Sequence, residues 1–246
     1  MFKQIAIPLL ALLPLLSQAK NIDGGMIIEA YGGSSTAGVM AVRKENGRLK
    51  NVVTRENEIH FLSDFLQKKY GKSIEVINKG QPSAQAIELL NGTYKYKNNG
   101  LWADEMKKSK ARLIILNFAT NDARHYHFKD AKPDYVLSPD QYEKVMTELI
   151  TIARDNGKQV VLQEPHPLCG KAVSWNISPY SARLDAVAKT LSVPLVKQYQ
   201  RIQEIPGWQS MMSPDCIHPS SELYKIKAEE TWKVIDDNFA TLMARR

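Results

Sequence analysis

Three short segments of this 246-residue sequence carry side chains from which nucleophilic chemistry can be built. Tyr31-Gly32-Gly33-Ser34-Ser35-Thr36-Ala37-Gly38 is a glycine turn that lets the backbone bend sharply and expose a hydroxyl at a helix N-terminus. Ala119-Thr120-Asn121-Asp122 offers an amide beside an acid, and Pro214-Asp215-Cys216-Ile217-His218-Pro219 sets an acid three residues before a histidine. One short turn can hold that last pair together. Taken singly each segment has a plainer reading, as a turn, a helix cap or a surface histidine, so their joint meaning depends on what brings them together.

The elements that would do so are legible in the hydrophobic pattern. Short β-branched apolar runs recur at Met26–Tyr31, Ile74–Ile77, Leu113–Phe118, Val160–Leu162 and Val193–Val196, without clean alternation, as buried parallel strands read. Between them Ile59, Leu62, Phe65, Leu66 and Tyr70 share one helical face, and Tyr142, Val145, Met146, Leu149 and Ile152 another. Ser138, Pro139 and Gln141 form the start signal of the second helix, which stops at Gly157. Ser178-Pro179 is expected to open a further helix in the same way, and a last one runs from about Ser220 to Met243. Alternating strands and helices predict a single-domain α/β fold, a doubly wound, flavodoxin-like three-layer sandwich of about five parallel strands. Ligands of such sheets bind beyond the carboxyl ends of the strands, where the three segments fall.

In this order the segments resemble the SGNH (GDSL) hydrolase superfamily of secreted serine esterases, lipases and carbohydrate deacetylases, over nearly all of residues 20–246. Gly32-Gly33-Ser34-Ser35-Thr36 is similar to the family's Gly-Asp-Ser-x-Thr, and Asn78-Lys79-Gly80-Gln81-Pro82-Ser83 to its Asn followed five residues later by Gly. Ala119-Thr120-Asn121-Asp122 resembles Gly-x-Asn-Asp, and Asp215 with His218 meets Asp-x-x-His in full. The resemblance implies Ser34 as nucleophile, His218 as base, Asp215 as the acid that orients it, and an oxyanion hole built from Ser34, Ser83 and Asn121. It departs at Gly33, Ser83 and Ala119, where the family has Asp, Gly and Gly. Ser83 still supplies a backbone N–H, with Gly80 as the alternative donor. What replaces the acid at position 33 is not evident from the sequence.

His166, set between Pro165 and Pro167 after the fourth strand, also faces the site and is read as pocket wall or structural residue ahead of substrate contact or base. His125 and His127 lack a third ligand at a recognised spacing, so a substrate-facing rim is preferred to a zinc site, and neither metal nor cofactor is expected. Cys169 and Cys216 are the only cysteines. On the expected fold both flank one pocket, and a disulfide between them would close a 47-residue loop and pin the Asp215–His218 turn.

Lys3, the apolar stretch Ile5–Leu16 and the small residues of Ser17-Gln18-Ala19 read as a signal peptide cut near Ala19, too short and too interrupted by Pro8 and Pro14 to span a bilayer. The mature protein is therefore expected to be secreted or periplasmic, without stable membrane insertion. Hydrophobic residues at 43% and charged residues at 24% exclude collagen-like and disordered classes. The net charge of +7 is scattered among 26 acids with no basic run, which argues against nucleic acid as a partner. The expected activity is hydrolysis of carboxylic esters, with small acyl groups on carbohydrate favoured by the polar, aromatic-bearing segments Tyr94–Trp102 and His125–Tyr135. Lipid acyl esters, thioesters, acyl transfer to a sugar, and a weakened, carbohydrate-binding form of the fold are the alternatives. Asn91-Gly92-Thr93 and Asn176-Ile177-Ser178 match the glycosylation pattern.

Overall fold

A computed structural model describes residues 25–244, and the expected leader lies outside the described residues. The five apolar runs form β1 (Ile27–Gly32), β4 (Glu75–Asn78), β5 (Leu113–Asn117), β6 (Gln159–Gln163) and β7 (Leu195–Val196). They pair in parallel in the order β4-β1-β5-β6-β7, a doubly wound sheet whose chain reverses direction of growth after β4. The strands lack alternation because both faces are covered. On β5, Leu113 and Ile115 point to one core while Ile114 and Leu116 point to the other.

The first of these cores is closed by α2 (Glu58–Tyr70) and α9 (Ser221–Met243), which bury Leu62, Leu66, Ala228 and Ile235. A fully buried leucine contributes about 2 kcal/mol, so this seam anchors the C-terminal helix firmly. Lys227 of α9 is 0% exposed, its ammonium 3.1 Å from Glu58 Oε2 and donating to Gln198 Oε1 at 2.9 Å. Removing either charge of a buried pair would strand the other at a cost of roughly 3–5 kcal/mol.

The opposite core is closed by α3 (Ala86–Asn91), α4 (Trp102–Lys108), α6 (Pro139–Asp155) and α7 (Ser178–Leu191). The start of α6 follows its sequence signal: Ser138 Oγ accepts from Gln141 N–H, and Gln141 Oε1 accepts from Ser138 N–H. The expectation for α7 needs correction, since Ser178 is its first helical residue and the cap position falls to Ile177, whose side chain cannot accept a hydrogen bond. Two strands were not expected. β2 (Val39–Arg43) and β3 (Leu49–Val53) form an antiparallel hairpin outside the main sheet, directly after the short helix α1 (Ser34–Ala37). Tyr224 of α9 ties this hairpin down by donating its hydroxyl to Val39 O at 2.6 Å.

Candidate active site

The end of β1 sets the first member of the site. A Cβ on Gly32 would lie 2.1 Å from Thr36 Oγ1 and 2.4 Å from Asn117 O, so only glycine fits between α1 and β5. Beyond it α1 starts at Ser34, whose N–H, in the first turn of a helix, has no carbonyl partner within that helix. Tyr96, buried 64 residues further on, organises the turn: its hydroxyl donates to Gly32 O at 2.8 Å and receives Gly32 N–H at 3.2 Å. This phenol steadies the segment that lacks an acid at position 33. The missing side chain also makes room, since a Cβ on Gly33 would stand 2.8 Å from Asn121 Nδ2.

The acid–histidine segment lies well past β7, after α8 (Tyr199–Gln203), in a loop tied to itself by Ser213 N–H to His218 O at 2.7 Å and Cys216 N–H to Ser213 O at 2.9 Å. Within it Asp215 Oδ1 accepts the N–H groups of Ile217 and His218, both at 3.0 Å, and Oδ2 faces His218 Nδ1 at 2.6 Å. Burial pushes the Asp215 carboxyl up, but the imidazole and these two amides outweigh it and hold the group below the usual carboxylate range. His218 Nε2 then meets Ser34 Oγ at 2.9 Å. Serine, histidine and aspartate thus form one unbroken hydrogen-bonded chain.

The expected oxyanion donors converge on the same place. Asn121, in α5 (Thr120–Phe128), donates one amide hydrogen to Ala84 O at 2.9 Å and keeps a second. The Ser83 N–H has no acceptor among the described residues. Gly80 drops out as the alternative, because its N–H is taken by Asn78 Oδ1 at 2.9 Å. Two of the departures from the family pattern sit on left-handed backbone, Ser83 at φ 66° and Ala119 at φ 106°, where glycine would be at ease. Asp122 is fully buried and receives Ala86 N–H and Ala119 N–H, both at 3.0 Å, joining the starts of α3 and α5. Burial pushes its carboxyl up to about 7 against the pull of these amides.

His166 is 1% exposed and does not reach Ser34. Its Nε2 lies 2.8 Å from Ile217 O and its Nδ1 faces Ser35 Oγ at 3.5 Å. Burial, then the Lys227 charge, holds it down to about 3, which suits a neutral structural imidazole rather than a base. Cys169 and Cys216 are bonded, and Cys169 N–H donates to Cys216 O at 3.1 Å, so the bridge clasps the loop carrying Asp215 and His218.

The expected rim needs correction. Tyr96 and Trp102 are core residues, each 1% exposed, and His125 belongs to α5 with its Nδ1 2.6 Å from Asp130. Among the described residues no group of three or more His, Cys, Asp or Glu could hold a metal. An open groove of about 430 Å³ is walled instead by the β2–β3 hairpin, Pro82, Arg124 and Trp175, none of them anticipated. A second recess, about 10 Å³, runs between Ala84, Thr120 and His166 and meets the groove at Ser34, Asn121 and Ile217. The hairpin had a signal in Asn46-Gly47, the strongest short-range turn pair; Arg124 and Trp175 had none.

The family model described as GDSL-like lipase/acylhydrolase matches residues 28–231. No curated protein matches the chain. Among solved structures, a lipase/acylhydrolase from Enterococcus faecalis superposes with TM-score 0.64 at 16% identity, covering 86% of this chain and 96% of that one. An acetylxylan esterase from Geobacillus stearothermophilus gives TM-score 0.65 at 17% identity, with 87% and 96% covered. An alpha/beta hydrolase from the metagenome of Lake Arreo gives TM-score 0.65 at 18% identity over the same shares.

Proposed function

The chain belongs to the GDSL-like lipase/acylhydrolase family and is a serine esterase or acylhydrolase, and we propose that it removes small acyl groups, acetyl above all, from carbohydrate outside the cytoplasm. Ser34 Oγ attacks the ester carbonyl while His218 Nε2 takes its proton, and Asp215 steadies the imidazolium that results. The charge that develops on the carbonyl oxygen is met by the N–H groups of Ser34 and Ser83 and the free amide hydrogen of Asn121. His218 returns the proton to the departing alcohol, and a water activated by the same imidazole releases the acid.

The observation that carries the acyl-size reading is the pair of unequal recesses meeting at Ser34. The smaller, about 10 Å³, has room for one water-sized group and so suits a methyl, whereas the groove of about 430 Å³ suits a sugar alcohol. The leader and the Cys169–Cys216 bridge support an oxidising compartment. The test is the chain-length profile of p-nitrophenyl esters with the mature protein beside its Ser34→Ala variant. Turnover that vanishes in the variant and falls at least tenfold from acetyl to octanoyl is expected; a profile rising with chain length would make the protein a lipase or thioesterase.

A further inference from the structure

We propose that Arg124 makes this enzyme selective for esters whose alcohol part carries a negative charge, such as an acetylated uronic acid, by receiving that group in the groove beside the oxyanion site. The inference rests on the reading of the two recesses given above, and it concerns only the larger one. Asn121 and Arg124 are three residues apart on α5, so they share a helical face and both look into the groove. Apart from His218, Arg124 is the one ionisable side chain among the groove's lining residues; its neighbours there are small, amide or apolar, Val52, Val53, Pro82 and Trp175 among them. No carboxylate lines the groove itself, and the one ion-paired to Arg124, Asp130, lies outside that lining.

The guanidinium is held in position from behind. Its Nη2 lies 2.9 Å from Asp130 Oδ2, and its Cζ sits over the Phe128 ring, 5.3 Å from the ring centre. Asp130 spends its other oxygen on His125 Nδ1 at 2.6 Å, so one acid is shared between two bases and does not fully occupy the fork. Arg124 Nη1 also faces His125 Nδ1 at 3.3 Å, but a guanidinium carries five donors in a fixed plane, and those turned toward neither Asp130 nor His125 remain for a carboxylate arriving in the groove. A tethered, half-buried arginine is already oriented, which lowers the entropic cost of capturing an anion. Because Arg124 stands in the larger recess, the charge it reads lies on the alcohol side of the scissile bond, not on the acyl group.

The experiment compares kcat/KM for a monoacetylated methyl glucuronoside and the matching methyl glucoside, which differ in carrying a carboxylate or a hydroxymethyl group at C6, in the parent enzyme, Arg124→Gln and Arg124→Lys. The parent is expected to prefer the anionic sugar by about tenfold or more. Arg124→Gln should bring the ratio close to one, and Arg124→Lys, a point charge without the fork, should retain part of it. A parent that hydrolyses p-nitrophenyl acetate yet shows no preference between the two sugars overturns this inference while leaving the esterase reading intact. An equal dependence on Arg124 for p-nitrophenyl hemisuccinate against the butyrate would move the charge to the acyl side and also overturn it. Binding of both glycosides to Ser34→Ala by calorimetry provides a readout without turnover: tighter binding of the anionic one supports the assignment and equal binding removes it.

Discussion

His166 and Ile217 are joined by a 2.8 Å hydrogen bond from the imidazole Nε2 to the peptide oxygen, one residue before His218. A second, buried histidine therefore props the turn that holds the first. His166→Gln, which keeps a donor near that oxygen, should retain measurable turnover, whereas His218→Gln should have none. Steady-state rates on p-nitrophenyl acetate check this, and inactivity of the His166 variant alone would reverse the two roles.

The same residue sets a pH signature in stability. His166 is held down to about 3 in the fold, so between there and about 6.5 the unfolded chain binds the extra proton. Its contribution is complete above pH 6.5 and drains away as pH falls, by about 2 kcal/mol at pH 5. Asp122 acts in the opposite sense, since its carboxyl is pushed up to about 7 and the fold gains from its protonation as pH drops. Urea unfolding of the parent and His166→Gln at pH 5 and 7 isolates the first effect: the gap between the two proteins should shrink toward acid.

Within the hydrogen-bonded chain the losses should be graded. Ser34→Ala and His218→Ala are expected to abolish ester hydrolysis, and Asp215→Asn to cost ~10³–10⁴ in kcat by disturbing the tautomer of His218. Asn121→Ala removes one of three oxyanion donors and should cost ~10²–10³ in kcat. Because such groups act as a unit, a Ser34→Ala, His218→Ala double variant should be no slower than either single one.

Much of this arrangement is legible in the sequence, and what is not has identifiable causes. The five sheet strands declare themselves because each is a short, wholly apolar run, and Asp215 and His218 because a single loop carries both. The hairpin escapes that reading since β3 is almost wholly exposed, Val53 at 68%, and β2 buries only Val39 and Ala41, too short an alternation to declare a strand. Tyr96 stands 64 residues from the glycine it steadies, and no local motif can announce such a contact. Arg124 is likewise one cation among many until the fold turns α5 toward the groove.

Ala119 carries strain that a simple change should relieve. Its φ of 106° lies where a Cβ is unfavourable, at a cost of order 1–3 kcal/mol, while glycine adds less than about 1 kcal/mol of unfolded-state entropy. Ala119→Gly should therefore stabilise the protein by about 1 kcal/mol and raise Tm by roughly 2–4 °C by calorimetry. An unchanged or lowered Tm would show that the surrounding packing depends on the methyl group.

Opening the Cys169–Cys216 bridge should weaken fold and catalysis together. It closes a loop over a sequence separation of 47, worth up to about 4 kcal/mol by loop entropy, and one of its ends lies between Asp215 and His218. Urea midpoints and kcat measured with and without reductant should both fall; a fall in the midpoint with kcat unchanged would show that the loop's own hydrogen bonds suffice to hold the catalytic turn.

The hydrogen bond between Ser34 and His218 spans 184 positions of the chain, nearly the full length of the described structure. During synthesis the proposed nucleophile emerges early and its proposed base very late, after β1, β4, β5, β6 and β7 have all left the ribosome. A nascent or prematurely terminated chain thus carries a serine with nothing to activate it. On the proposed mechanism, only a polypeptide extended through the Asp215–His218 loop can cleave an ester, so activity reports that synthesis has passed that point.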